Sequence, residues 1–253
     1  IKNTKFSYSL KSPVFFNEDD VCYNRFWEKF TFTGKPIKNL DISVDNFAYL
    51  GTNHSDKRAN IYCDDDSKSL GNVIIAGCTF RYCVAGSYNG GAISIEQNSE
   101  VMVHDSLFIG CSTTHKGGAL YLVRKQSSNY DEPEDIQLIK LDIQYCCFQD
   151  CYSFKSDNDN RYGIAVYSAA KDTTLFYASA VNCTDVKELI SKGAQFDLQA
   201  NELSSKFVNA TGGIAKSCAG IEYRRATKGF FSFQSMSNMH GMWATAFTNA
   251  QID

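Results

Sequence analysis

The chain has 253 residues, 43% of them hydrophobic and 13% aromatic, with a formal net charge of −3. That is enough apolar material for a continuous core, and the charge balance gives no electrostatic ground for a nucleic-acid partner. With three prolines and no Ser/Pro/Gly tract there is no linker signal, and no apolar run approaches the ~18–20 residues that cross a bilayer. The chain starts at Ile1, which reads as a mature or trimmed form, so any leader or membrane anchor is expected outside these residues.

Residues 1–70 are irregular. Segments 7–10, 29–33 and 60–63 read as strands, and Phe26-Trp27-Glu28 as part of a cap over an open first turn, whose bare edge would otherwise invite pairing. Asp64-Asp65-Asp66 reads as a solvated turn, because no other fixed oxygens stand near it for Ca²⁺.

From residue 73 the chain repeats itself. V-I-I-A-G-C-T-F-R-Y-C is followed by G-G-A-I-S-I, and V-M-V-H-D-S-L-F-I-G-C by G-G-A-L-Y-L; Cys83 and Cys111 are 28 residues apart, as are Phe80 and Phe108. A period of that size marks a solenoid. Aligned on Cys83, Cys111, Cys151 and Cys183, the positions ten and eight residues earlier are Val73/Ile75, Val101/Val103, Leu141/Ile143 and Thr173/Leu175. The alternate positions turn polar in two of the four repeats, which is the pattern of a strand with one buried face. Three residues before the cysteine stand Phe80, Phe108 and Phe148, then Ala180, with later echoes at Phe207 and in Phe230-Phe231-Ser232-Phe233. Stacked turns place equivalent side chains one strand spacing apart, so these positions predict an internal phenylalanine ladder, with the small cysteines where the coil turns. Gly90-Gly91 and Gly117-Gly118 predict sharp corners and close approach of neighbouring turns.

The spacing then lengthens, and the extra residues form two polar, turn-rich stretches at 124–135 and 152–162. Insertions of this kind leave a solenoid at its corners and carry binding, so Tyr130, Asp131, Glu132, Asp157, Asp159 and Arg161 are the candidate ligand-binding residues. Asp157-Asn158-Asp159-Asn160 lacks the glycine and terminal glutamate of a calcium loop.

Ten cysteines invite a disulfide framework, yet most fall on repeat positions that already explain them as core thiols; both readings stand. No metal or cofactor is expected: C-x-x-C is absent, and His54, His104, His115 and His240 show no ligand spacing. Adjacent Cys146 and Cys147 cannot both point inward on one strand. Of three sequons, Asn53 lies in a polar stretch and is the candidate for glycosylation; Asn182 and Asn209 sit beside ladder positions and read as structural.

G-G-A-[ILV] paired with F-x-x-N resembles the repeat signature of the chlamydial polymorphic membrane proteins and of related surface proteins of parasitic protists such as trichomonads. Here F-R-Y-C, F-I-G-C and F-Q-D-C put cysteine in the asparagine position, which brings the chain nearer to the protist type. The clear match covers about 73–125, with weaker echoes to about 250. The resemblance implies a right-handed parallel β-helix of pectin-lyase-like form, secreted or at a cell surface, with a role in adhesion or contact with a host-surface glycan or protein; it supplies no catalytic residues.

The expectation is therefore an all-β, single-domain chain over 1–253, of roughly eight or nine coils, with 1–70 as irregular coils and cap and 71–250 as the main repeats. Its expected role is non-catalytic binding. The alternative is a polysaccharide lyase or glycoside hydrolase of the same fold. Against it, the outward positions of one strand series give Asp142 and Gln144 beside Met102 and His104, which is no carboxylate cluster, and the motif set of polygalacturonases is missing.

Overall fold

The computed structural model describes residues 73–85, 88–96, 100–123, 138–153, 163–183, 193–214, 218–240 and 243–248, together with the strands Lys5–Ser7, Val14–Phe16, Arg25–Glu28, Thr31–Thr33 and Ile61–Asp64. Alternating sequence gives short strands, and each pairs in parallel with its counterpart one repeat later.

On face A, Arg25–Glu28 pairs with Val73–Ala76, which pairs with Glu100–His104, which pairs with Leu138–Gln144; the series continues through the second half of Gly163–Phe176, Ala194–Thr211 and Lys228–Ser237. On face B the series is Lys5–Ser7, Thr31–Thr33, Thr79–Arg81, Leu107–Ile109, Cys147–Gln149 and Ser179–Val181, and then the ends of Ala194–Thr211 and Lys228–Ser237. Face C runs Val14–Phe16, Ile61–Asp64, Ile93–Glu96, Leu120–Val123, the starts of Gly163–Phe176 and Ala194–Thr211, Cys218–Arg224 and Trp243–Thr248. A short fourth series, Val84–Ala85, Ser112–Thr113 and Tyr152–Ser153, bridges B to C. The result is an all-β parallel β-solenoid. The segment Phe26-Trp27-Glu28, expected in a cap, lies in a face A strand, in register with Ile74, Ile75 and Ala76.

The corners are single residues with left-handed backbone. Between A and B these are Gly77, Asp105, Tyr145, Tyr177, Phe207 and Phe233, with φ from 49° to 61°. The corner that ends face B is made by Tyr82, Gly110, Asp150, Asn182, Gly212 and Asn238. Glycine, aspartate and asparagine, the residues that favour this conformation, make two of the first six corners and five of the second six; the aromatic ones pay a steric cost. Pairing offsets it: the corner N–H of Asp105 donates to the Gln144 carbonyl at 3.0 Å, that of Tyr145 to Phe176 at 3.0 Å and that of Tyr177 to Lys206 at 3.1 Å. The hydrogen-bond ladder thus runs unbroken around the bend.

The glycine pairs serve two purposes. Gly90 and Gly117 take positive φ (69° and 68°). Gly91 and Gly118 give passage to neighbouring backbone: a Cβ on Gly118 would sit 2.3 Å from the carbonyl oxygens of both Ile164 and Tyr152.

Inside, like stacks on like. Phe80 and Phe108 stack with ring centroids 4.9 Å apart, and Phe108 and Phe148 at 4.8 Å, all three fully buried. In the next turn Ala180 takes the position, and Phe196 from face C fills the space, edge-on to Phe148 at 5.6 Å. Volume is conserved although the residue changes face. Farther on the ladder position belongs to Ala210 and Met236. Phe207 and Phe233, expected to continue the internal series, instead occupy the A–B corner on the outside: Gly213 stands at the position of Cys183 in the next turn, and the true register is offset by three residues. Where the column ends, Tyr223 is wholly buried and its hydroxyl meets Ser205 Oγ at 2.9 Å and Gln234 Nε2 at 2.8 Å.

Beside the rings runs a thiol column. The Sγ–H of Cys111 donates to the carbonyl of Phe80 (3.7 Å), that of Cys151 to Phe108 (3.7 Å) and that of Cys183 to Phe148 (3.5 Å). Each of these three cysteines reaches back one turn to the backbone of a phenylalanine as a small, weak donor. Cys111, Cys146, Cys147, Cys151 and Cys183 are free thiols.

Truncating Phe108 removes the middle ring of this stack, so Phe108→Ala is expected to cost about 3–5 kcal/mol, read as a fall in the denaturant midpoint at unchanged slope.

Candidate functional site

The six loop residues singled out from the sequence (Tyr130, Asp131, Glu132, Asp157, Asp159 and Arg161) and Asn53 lie outside the described residues. Two other features of the outer surface stand out.

The first is an aromatic column on the A–B corner. Because the left-handed corner residue of every turn projects from the same edge, Tyr145, Tyr177, Phe207 and Phe233 stack in a line: 5.2 Å between the first pair, 4.5 Å between the second and 4.8 Å between the third, with interplanar angles of 10°, 13° and 11°. Phe176 braces it edge-on, 4.5 Å from Tyr177 and 6.0 Å from Phe207. Lys206 Nζ lies 5.1 Å from the Phe207 centroid. Tyr145 is 52% exposed, Tyr177 45% and Phe233 70%. Stacked rings of this kind show solvent their hydrogen-bearing edges, which carry the positive end of the ring quadrupole, so column and lysine together favour a partner with acceptor oxygens.

The second is a buried polar cluster on the outward side of face C. Register lines up Ser94, Tyr121, Tyr167, Asp197 and Glu222 on successive turns. Tyr121 and Tyr167 stack at 5.5 Å. Lys116 Nζ stands 4.6 Å from the Tyr167 centroid, and the Arg224 guanidinium 5.4 Å from it. Arg224 Nε donates to Asp197 Oδ1 at 2.6 Å, with Nη2 also 2.6 Å from that oxygen. The Asp197 side chain is entirely buried, and its Oδ2 accepts no hydrogen bond. Burial pushes the Asp197 carboxyl up to about 6; Arg224 opposes the rise and the neighbouring Glu222 adds to it.

The sequence reading examined outward positions on face A alone, so it missed the pairing of Asp197 with Glu222. The signal was present: aligning G-A-Q-F-D-L and G-I-E-Y on the G-G-A-I-S-I phrase puts both acids at the position of Ser94. Among the described residues no three His, Cys, Asp or Glu side chains converge as metal ligands. Asn209, read as structural, sits on the outward side of face B and is exposed. Of the adjacent pair, Cys146 is buried at the corner and Cys147 half-buried on face B. Burial raises the Cys146 thiol to about 12 and the Cys151 thiol well above its ordinary range.

The chain matches no family model, no curated protein and no solved structure. No helix among the described residues is long and apolar enough to cross a membrane.

Two outcomes follow. Since Asp197 binds its proton more tightly folded (about 6) than at the ordinary value of 3.8, its contribution to stability is fully present below pH 3.8 and is lost as pH rises through 6. That change is of the order of 2–3 kcal/mol. Denaturation between pH 4 and 7 should show this slope in the native chain and a flatter profile in Asp197→Asn. Thiol labelling of the native protein, mapped by peptide, should modify Cys147 and leave Cys83, Cys111, Cys146, Cys151 and Cys183 unmodified until denaturant is added.

Proposed function

We propose that the chain is a right-handed parallel β-helix forming one domain, secreted or held at a cell surface, that binds a host-surface glycan or protein without catalysis. The right hand follows from the general rule for a strand, a crossover and a parallel strand in one sheet. The observation that carries the binding role is the aromatic column: Tyr145 and Tyr177 are about half exposed, yet pinned by stacking and by their corner backbone. Ordering such side chains costs little further entropy on binding, so a ligand gains most of the contact free energy. The resemblance of the repeats to surface-exposed β-helices supports the location.

The test is binding of the purified protein to host cells and immobilised glycans. The double variant Tyr145→Ser/Tyr177→Ser is expected to weaken binding at least tenfold while keeping cooperative unfolding. A parallel deletion of 124–135 and 154–162 separates the loops from the column. Binding unchanged in both variants would overturn the reading.

A second reading, a polysaccharide lyase or glycoside hydrolase, is favoured by the Asp197–Glu222–Arg224 cluster, where a buried carboxyl group with a raised pKa stands beside a second acidic residue and a guanidinium. Its complete burial counts against it. Release of oligosaccharides from a polyuronide or host glycan, abolished by Asp197→Asn, would establish this reading over the first.

A further inference from the structure

We propose that Asn209 is an N-glycosylation site, and that the first sugar of its glycan packs on Phe207 and Phe233. The inference rests on the secreted or surface location proposed above for its compartment, and on the structure for its geometry.

The segment Phe207-Val208-Asn209-Ala210-Thr211 is an acceptor sequence with an aromatic residue two positions ahead. On face B, Val208 and Ala210 point into the core, so Asn209 and Thr211 share the outward side. Thr211 Oγ donates to Asn209 Oδ1 at 3.3 Å, and Thr211 Oγ is itself 3.0 Å from Ser237 Oγ. That bond engages the carboxamide oxygen, the end of the side chain that does not carry the sugar.

A bulky glycan is tolerated only where it projects into solvent. Asn209 is exposed, and its neighbours on the turns before and after are Ser179 and Ser235, both small. The other described sequon asparagine, Asn182, is differently placed: it is a corner residue with φ 52°, and its carboxamide lies over Gly212, where a Cβ would be 2.3 Å from Oδ1. The corner aromatic Phe207 and its stacked neighbour Phe233, 70% exposed, offer an apolar surface beside Asn209. A sugar has an apolar C–H face, and burying it against these rings removes both surfaces from water. Tyr145 and Tyr177, two and one turns back along the column, stay open for the partner.

In the transfer, Asn209 Nδ2 attacks the anomeric carbon of an oligosaccharide carried on a lipid diphosphate. A carbon–nitrogen bond forms, the bond from that carbon to the diphosphate oxygen breaks, the lipid diphosphate departs, and Nδ2 gives up one proton to a base of the membrane-bound transferase.

The experiment expresses the full chain behind a heterologous cleavable secretion leader in cultured eukaryotic cells, and measures occupancy peptide by peptide by mass spectrometry. Asn209 is expected to be occupied in most of the secreted protein, and Asn209→Gln and Thr211→Ala each to lose that glycan while the chain is still secreted. Enzymatic removal of the glycan should lower the melting temperature by a few degrees in the native sequence and leave it unchanged in Phe207→Ala. An empty Asn209 in folded, secreted protein overturns the site; an equal melting shift in Phe207→Ala overturns the packing. Because the leader supplies the compartment, an empty Asn209 counts against this site alone, whereas a chain that binds no host surface counts against the function proposed above alone.

Discussion

Everything in this molecule depends on register between parallel turns. Along the paired strands backbone groups bond to the turn before or after, and that bonding continues through the corners, where Asp105, Tyr145 and Tyr177 donate to the next turn. Once the register is set, side chains have no choice of neighbour. Position maps to position, and a column is uniform, compensated or strained. Phe80, Phe108 and Phe148 form a uniform column; Ala180 is compensated by Phe196 from another face. The thiols tie the two kinds of order together, since Cys111, Cys151 and Cys183 hydrogen-bond the carbonyls of the ring residues one turn back.

This constraint explains what the sequence made legible and what it did not. The inward series on face A and the first three ladder rings could be read because three signals coincide in them: period-two alternation, a cysteine landmark and the Gly-Gly phrase. Beyond Cys183 the landmark disappears, and Gly213 stands where the next cysteine would fall. Without it, Phe207 and Phe233 look like rings for the core, and only the pairing of Ala210 with Ala180 shows that they are three residues out of register. Single-residue corners were invisible for another reason. A left-handed tyrosine or phenylalanine is rare, so no propensity points to it; the conformation is imposed by the turns on either side.

The polar cluster on face C was illegible in a deeper sense. Alternation predicts that Tyr167, Asp197 and Glu222 face outward, and they do, but it carries no statement about exposure. Asp197 and Glu222 are nevertheless buried. A buried carboxylate beside a like charge is unfavourable even when an arginine contacts it, which is why Asp197 holds its proton to about 6. Such an arrangement weakens the fold near neutral pH. Two acids on successive turns make face C a different kind of surface from the corner column.

The corner column itself shows how a solenoid acquires function at low structural risk. Changing a corner residue leaves the ladders untouched, because its side chain projects outside while its backbone is held by neighbours. Along this one edge the residues run from Gly77 and Asp105, the latter paired with His104 at 3.0 Å, through Tyr145 and Tyr177 to Phe207 and Phe233. The edge is therefore small and polar at one end and aromatic at the other, and the rod is chemically directional although its backbone repeats. A ligand that reads the aromatic half is placed at a fixed height on the rod, and a glycan at Asn209 would shield the farther rings while leaving the tyrosines open. Specificity then lies in which turns carry rings, and the core that fixes their spacing need not change for the surface to do so.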